Sequence, residues 1–225
     1  MAYLPSQEKT VLKSPSLLAT NVVLRNTYAL LGLTLLFSGL VAWWAAASNA
    51  PSLGLIVTLV GVYGLMFLTQ ALRNRPWGLV SSFAFTGFMG YTLGPLLNFY
   101  IHNFTNGAEL VGMAAGGTGI IFLCLSAYVL TTRKDFSYLG GFIFIGVMAL
   151  LIAMIVGLFA HIAALQLIIS AGFIVLSSAL ILYQTSAIIY GGERNYIMAT
   201  ITLYVSIYNL FVSLLAILGA FSGRR

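Results

Sequence analysis

Seven continuous apolar runs, each long enough to cross a bilayer, dominate the sequence. Short polar or charged segments separate them, and they cover residues 28–47, 53–72, 79–100, 110–130, 139–159, 163–190 and 196–221. A membrane-spanning helix needs about 20 mostly apolar residues. Strands of outer-membrane barrels instead alternate in hydrophobicity over about ten residues. The runs therefore predict an all-α membrane protein with seven transmembrane helices.

Composition supports a membrane protein over a soluble one. Of the 225 residues, 60% are hydrophobic and 6% are charged, whereas soluble domains carry about 25% charged residues. Such a chain is also too apolar to be disordered. We expect a polar tail over residues 1–26, a seven-helix domain over 27–221 and a short tail over 222–225. A cleaved signal peptide is the alternative for the first run, but its polar lead is long for one.

The positions of lysine and arginine predict the orientation. Placing the N-terminus inside puts most of the cations on the cytoplasmic side, namely Lys9, Lys13, Arg25, Arg73, Arg75, Arg133, Lys134 and Arg194. Only Arg224 and Arg225 then lie outside. Because cytoplasmic loops carry the excess of Lys and Arg, we expect a cytoplasmic N-terminus and a periplasmic C-terminus. The net charge of +6 then reflects these loops and not a nucleic-acid partner.

Glycine spacing and one proline give the packing predictions. Gly90 and Gly94 form a G-x-x-x-G pair in the third run, and Gly112 and Gly116 form another in the fourth. Such pairs let helices approach closely, although a chain with 23 glycines also contains them by chance. Pro95 removes a backbone donor, so we expect a helix break at Gly94-Pro95 that faces protein.

Polar residues on two faces of the last run predict that this helix is central. One face carries Thr202, Ser206, Asn209 and Ser213, and the opposite face carries Thr200, Tyr204 and Tyr208. In the sixth run, Ser170, Ser177 and Gln184 recur every seven residues. We expect this stripe to meet the Thr202–Ser213 stripe in a polar seam. Such a seam either joins helices, at about 0.6 kcal/mol per hydrogen bond, or conducts an ion or small solute.

The residues needed for most membrane-protein chemistry are missing from the runs. No charged residue lies at the centre of a run, although intramembrane charges usually mark proton and ion paths. His102 and His161 fall at run ends, and Cys124 is the single cysteine. The sequence contains neither H-E-x-x-H nor a phosphate-binding loop. We therefore expect no metal, no cofactor and no enzymatic activity.

Four strings carry a resemblance to a known family. They are FTGFMGYTLGP at 85–95, RKDFSYLGG at 133–141, GGERNY at 191–196 and ITLYVSIYNLF at 201–211. They resemble the Bax inhibitor-1, or transmembrane Bax inhibitor motif, family. The wider match, from Val23 to Gly219, is similar to the family's bacterial YccA branch. The resemblance implies seven helices with the last surrounded by the other six.

The resemblance implies two possible activities. Some members are pH-sensitive calcium leak channels with one aspartate in each of the last two helices, whereas the YccA branch is similar to modulators of FtsH, a membrane-anchored AAA protease. The aspartate positions correspond to Gln184, after Leu182-Tyr183, and to Ser206. Ca²⁺ sites rely on carboxylates, and neither side chain titrates near neutral pH. The resemblance therefore favours a non-enzymatic protein of the bacterial inner membrane that binds and restrains FtsH. A leak channel along the seam and a structural membrane chaperone remain the alternatives.

Overall fold

The computed structural model describes residues 17–160 and 163–222, and the regular elements there are α-helices. Each predicted apolar run forms one helix. The helices are α1 (Leu17–Ala47), α2 (Leu55–Leu72), α3 (Trp77–Asn103), α4 (Gly107–Thr132), α5 (Leu139–Ala160), α6 (Ala163–Ile189) and α7 (Tyr196–Phe221). The prediction of an all-α membrane protein is confirmed.

Six of these helices are long and apolar enough to cross a membrane, and α3 is the exception. The Ser and Thr hydroxyls of α3 nevertheless donate to carbonyls of their own helix. Ser81 donates to the carbonyl of Gly78 at 2.9 Å, and Thr86 donates to that of Ser82 at 3.0 Å. Hydroxyls bonded in this way add little polar surface between helices. A membrane span for α3 stays a prediction.

The first helix begins earlier than the composition indicates. It starts at Leu17, inside the segment expected to be a polar tail. Apolar residues between the polar ones let the helix extend beyond the membrane run, and Thr27 is fully buried. Residues 1–16 of the expected tail lie outside the described residues, as do His161 and the two terminal arginines.

The last helix is the centre of the bundle. It packs against α1, α3, α4 and α6, while α2 packs against α3, and α5 packs against α6. Residues buried in α7 occur all around its circumference, among them Thr200, Leu203, Tyr204, Ser206 and Leu210. By contrast, none of the α5 residues from 139 to 157 is buried, so much of the surface of this helix is available to lipid. The predicted central position of α7 is confirmed, but four helices and not all six form its main contacts, because α2 and α5 pack on other helices.

Glycines on one face of α3 bring it against α1. A Cβ added at Gly87 would lie 2.7 Å from the Phe37 ring, and one at Gly90 would lie 2.4 Å from the carbonyl oxygen of Ser38. There is no room for a side chain at Gly90, and a Cβ at its pair partner Gly94 would meet Ala45. The G-x-x-x-G prediction is therefore confirmed in α3. In α4, a Cβ at Gly112 or Gly116 meets nothing within 4 Å, and that pair is not a packing motif.

The predicted helix break at Gly94-Pro95 is absent, since α3 runs on to Asn103. A proline removes one donor and so deprives one carbonyl, that of Tyr91, of its usual partner. The rest of the helix keeps its bonds and its packing. Gly94 instead serves close approach, because a Cβ there would lie 2.4 Å from that of Ala45. The expectation that this stretch faces protein is confirmed by the burial of Gly94.

Candidate functional site

The two residues that the sequence resemblance aligns with aspartates are buried in the bundle. Gln184 on α6 is 6% exposed and Ser206 on α7 is 0% exposed. Ser177, two turns before Gln184, is 1% exposed. The Ser206 hydroxyl donates to the carbonyl oxygen of Thr202 at 2.9 Å, so its proton is used within α7. It stays a prediction that the two polar stripes meet as a continuous seam and that Asn209 is part of it.

Gln184 is buried with its amide nitrogen unpartnered. Three buried side-chain atoms in the described part of the chain have no hydrogen-bond partner: Thr27 Oγ1, Ser126 Oγ and Gln184 Nε2. A buried donor without a partner costs about 1–3 kcal/mol, so its presence calls for an explanation such as strain, a functional role or a bound water. The sequence pattern identified Gln184 but gave no signal for Thr27 or Ser126.

This site offers a cation only neutral oxygens. The carbonyl of Gln184 and the hydroxyl of Ser206 are acceptors, whereas Gln184 Nε2 is a donor and repels a cation. Among the described residues there is no group of three or more His, Cys, Asp or Glu side chains that could hold a metal ion. A hard divalent cation prefers several carboxylate or carbonyl oxygens. The geometry therefore supplies less than a calcium site needs.

Side-chain hydrogen bonds from α7 to other helices lie on the opposite face. The Tyr204 hydroxyl is 2.5 Å from the Ser38 hydroxyl and 3.3 Å from the carbonyl oxygen of Thr86. Because a phenol has one proton, Ser38 donates to Tyr204 and Tyr204 donates to Thr86. One turn further along, the Tyr208 hydroxyl lies 3.1 Å from that of Thr92. We call these residues the tyrosine network.

A further hydrogen bond joins α7 to α1 near the start of α7. Thr200 Oγ1 lies within bonding distance of two carbonyl oxygens, that of Thr27 on α1 at 3.2 Å and that of Tyr196 at 2.7 Å. Interhelical hydrogen bonds are therefore found on the Thr200–Tyr208 face, and those expected on the Thr202–Ser213 face stay a prediction. The sequence placed both stripes on α7 but did not identify Ser38, Thr86 or Thr92 as partners, because these lie on other helices.

Three loops meet at one end of the bundle. Asn195 caps α7 by accepting from the backbone N–H groups of Ile197 at 3.0 Å and Met198 at 3.1 Å. Its Nδ2 donates to the carbonyl of Arg73 at 2.9 Å and to Oδ1 of Asn74 at 3.0 Å. One side chain thus starts the central helix and ties it to the α2–α3 loop.

The α4–α5 loop is docked on the end of α6. The backbone N–H of Phe136 donates to Ser186 Oγ at 3.0 Å, and Ser186 Oγ donates to the carbonyl of Lys134 at 3.4 Å. The Tyr190 hydroxyl donates to the carbonyl of Arg133. Phe136 itself is buried. The loop is therefore anchored by backbone bonds and one aromatic ring.

Most of the described charges lie at this end, which we call the basic end. Its exposed cations are Arg25, Arg73, Arg75, Arg133, Lys134 and Arg194. Asp135 lies among them, and hydrogen bonds from the hydroxyl and then the N–H of Ser137 lower the pKa of its carboxyl. At the opposite end, the described carboxylate is Glu109.

The fold and the site define a class: a polytopic α-helical membrane protein with a central last helix and a buried site lacking carboxylates. A family model described as "Inhibitor of apoptosis-promoting Bax1" matches residues 20–223. The chain belongs to this family, which confirms the resemblance drawn from the sequence strings.

Relatives match almost the whole chain. "Modulator of FtsH protease YccA" of Escherichia coli is 57% identical over 204 residues, covering 91% of this chain and 92% of that protein. An uncharacterized protein of Pseudomonas aeruginosa is 62% identical over 201 residues, covering 89% and 90%. An uncharacterized protein of Neisseria meningitidis is 37% identical over 212 residues, covering 91% and 93%. The predicted likeness to the bacterial YccA branch is confirmed.

Proposed function

We propose that this chain is an inner-membrane protein that binds and restrains an FtsH-type AAA protease and catalyses no reaction itself. The main support is the Escherichia coli relative, whose name describes a modulator of that protease and which matches 91% of this chain. The buried site adds support, because Gln184 and Ser206 stand where the leak-channel members carry aspartates. The residues present favour a protein partner over calcium conduction.

The orientation belongs to this proposal. We place the basic end in the cytoplasm and the C-terminus in the periplasm, since cytoplasmic loops are enriched in Lys and Arg. The protease is then met by the basic end and by residues 1–16, which precede α1. In this orientation, a force on the N-terminal segment is transmitted directly to α1.

The contacts of α1 support the proposal of slow extraction. Gly90 lets α3 pack closely against α1, because the Ser38 carbonyl oxygen occupies the space that a side chain at position 90 would need. Ser38 is bonded to Tyr204 of α7, and the Tyr28 hydroxyl lies 3.3 Å from Thr185 Oγ1 of α6. Pulling α1 out therefore disturbs three other helices together. A substrate that is seized but extracted slowly occupies the protease and competes with other substrates.

Affinity purification tests the partnership. A C-terminally tagged chain is isolated from membranes in mild detergent, and co-purifying proteins are identified by mass spectrometry. We expect the FtsH-type protease at stoichiometric amounts, and its loss from a variant lacking residues 1–16. Recovery of background proteins alone would contradict the proposal. A tagged unrelated inner-membrane protein of similar size is the control for adventitious capture.

A leak along the polar seam is the second candidate, and the unpartnered Nε2 of buried Gln184 is a donor available to a small solute that carries an acceptor. The test is calcium or small-solute flux in liposomes. The proposed modulator passes no calcium, whereas the double variant Gln184→Asp, Ser206→Asp restores both carboxylates. We expect calcium sensitivity in the double variant and not in the natural chain. Calcium flux through the natural chain would make the leak the better proposal.

A further inference from the structure

An apolar cleft of about 530 Å³ opens between α1 and α4. Its floor is formed by α3 and α7, with Leu97 and Phe211 among the lining residues. Both walls are built largely from small residues, which are Gly39, Ala42 and Ala46 on α1 and Ala115 and Gly119 on α4. A Cβ placed at Gly39 or Gly119 meets nothing within 4 Å, so the space beside these glycines is open.

The cleft opens sideways toward the membrane. In the described residues, α1 and α4 are not packed neighbours, although each packs against α3 and α7. The two walls approach at one end, where the rings of Phe122 and Tyr28 lie 6.0 Å apart. Trp43 lies on the rim and is 70% exposed. An occupant therefore enters from the hydrocarbon around the bundle.

Polar groups in the lining are already engaged within the protein. Ser38 and Tyr204 are bonded to each other, and Tyr208 is bonded to Thr92. The Thr118 hydroxyl donates to the carbonyl of Ala114 at 2.7 Å. A ligand with an acceptor group would find no free donor proton among these hydroxyls. The lining accordingly selects a plain hydrocarbon chain.

The depth and length of the cleft fit one leaflet. Its α1 wall runs from Leu35 to Ala46, in the half of α1 that is distant from Arg25. Its α4 wall lies in the first half of α4, away from the basic end. At about 1.5 Å per residue, the α1 wall is about 16 Å long. This is close to half of the roughly 30 Å hydrocarbon core of a bilayer. Trp43 is then placed near the interface, where tryptophan is enriched.

From these observations we propose that the cleft between α1 and α4 binds one acyl chain of a bilayer phospholipid, from the leaflet opposite the basic end. The chain fills the space between two walls that do not pack on each other. It also covers the apolar side of the tyrosine network. The site is separate from the protease contact proposed above, and it holds whether or not that proposal is correct.

Photolabelling in nanodiscs tests the acyl-chain site. The full chain is reconstituted with phosphatidylglycerol that carries a diazirine near the end of one acyl chain, and labelled peptides are mapped by mass spectrometry. We expect labelling of the α1 and α4 walls several-fold above that of α5, which has no buried residue from 139 to 157 and reports ordinary lipid contact. Equal labelling of the walls and α5 would overturn the proposal.

Filling variants provide the matched comparison. Gly39→Leu with Gly119→Leu places side chains in the cleft, whereas Gly32→Leu with Gly116→Leu adds them at open positions on the same helices that do not line it. We expect the first pair to reduce wall labelling to the α5 level and the second to leave it unchanged. Equal loss in both pairs, or chain-to-chain adducts that show a second copy in the cleft, would overturn the proposal. Thermal unfolding of both pairs checks that they fold.

Discussion

The Tyr204 hydroxyl joins three helices through one oxygen atom. It accepts from Ser38 on α1 and donates to the carbonyl of Thr86 on α3, while its own helix is α7. Its ring packs edge-on against Phe85, with centroids 6.1 Å apart. Both the polar and the apolar parts of this residue therefore stabilise the same junction of the bundle.

Replacing Tyr204 with Phe tests the hydrogen bonds apart from the ring. The variant keeps the aromatic packing but leaves the Ser38 hydroxyl without its partner. Interhelical hydrogen bonds in membranes contribute about 0.6 kcal/mol each, up to about 1.7. We expect the free energy of unfolding in mixed micelles to fall by about 1–2 kcal/mol. Tyr138→Phe, at a position that is 73% exposed, is the control, and an equal effect in both would refute this role.

A second prediction at this scale concerns Gly90. A methyl group there meets the Ser38 carbonyl oxygen at 2.4 Å, so Gly90→Ala forces α1 away from α3. Overpacking of this kind costs about 1–3 kcal/mol. Gly116→Ala meets nothing and gains up to about 1 kcal/mol in helix propensity. Thermal unfolding in detergent should separate the two variants, and similar melting temperatures would show that the close approach is unimportant.

The contribution of Asp135 to stability depends on pH. Hydrogen bonds from Ser137 hold the pKa of its carboxyl below the ordinary value of 3.8. A depressed pKa in the folded protein stabilises the fold above the unfolded-state pKa, and this stabilisation is lost as pH falls through the folded-state value. Ser137→Ala should therefore raise the pKa of Asp135 in a carboxyl NMR titration, while Ser137→Thr keeps it low. An unchanged titration in Ser137→Ala would contradict the assignment.

At the scale of elements, the start of α7 depends on one side chain with two separate tasks. The oxygen of Asn195 caps the helix, and its nitrogen holds the α2–α3 loop. Asn195→Ala removes both, and loss of an N-cap costs about 0.5–2 kcal/mol. Asn195→Asp keeps the capping oxygens and removes the donor.

Hydrogen exchange distinguishes the two tasks of Asn195. We expect faster exchange at the amides of Ile197 and Met198 in Asn195→Ala. In Asn195→Asp these amides should stay protected, while the α2–α3 loop around Arg73 exchanges faster. Faster exchange at both places in both variants would mean that cap and tether are not separable.

The helices also show which features of the fold could be predicted from the sequence and why others could not. Run length and composition predicted all seven helices, because the bilayer fixes the length of a span. The break at Pro95 was not found, since one lost hydrogen bond does not end a packed helix. The pairs at Gly90 and Gly112 have the same spacing, yet only the first meets another helix. Sequence shows which residues share a face, but not which helix that face meets.

At the scale of the whole molecule, the bundle consists of an inner and an outer set of helices. The inner set is α7 with the four helices around it, and α2 and α5 pack on the outside. The segment at 1–16 leads into α1, a member of the inner set. A protease that pulls on this segment therefore acts on the best-connected part of the molecule, which accounts for slow extraction in the proposed function.

Competition for the protease tests the central claim most directly. The purified FtsH-type protease is reconstituted in liposomes with a second membrane substrate, and degradation of that substrate is followed with and without this chain. The account predicts slower degradation with the natural chain and a normal rate with a variant lacking residues 1–16. It also predicts weaker competition by Gly90→Ala, which loosens α1. Unchanged degradation in the presence of the natural chain would contradict the account.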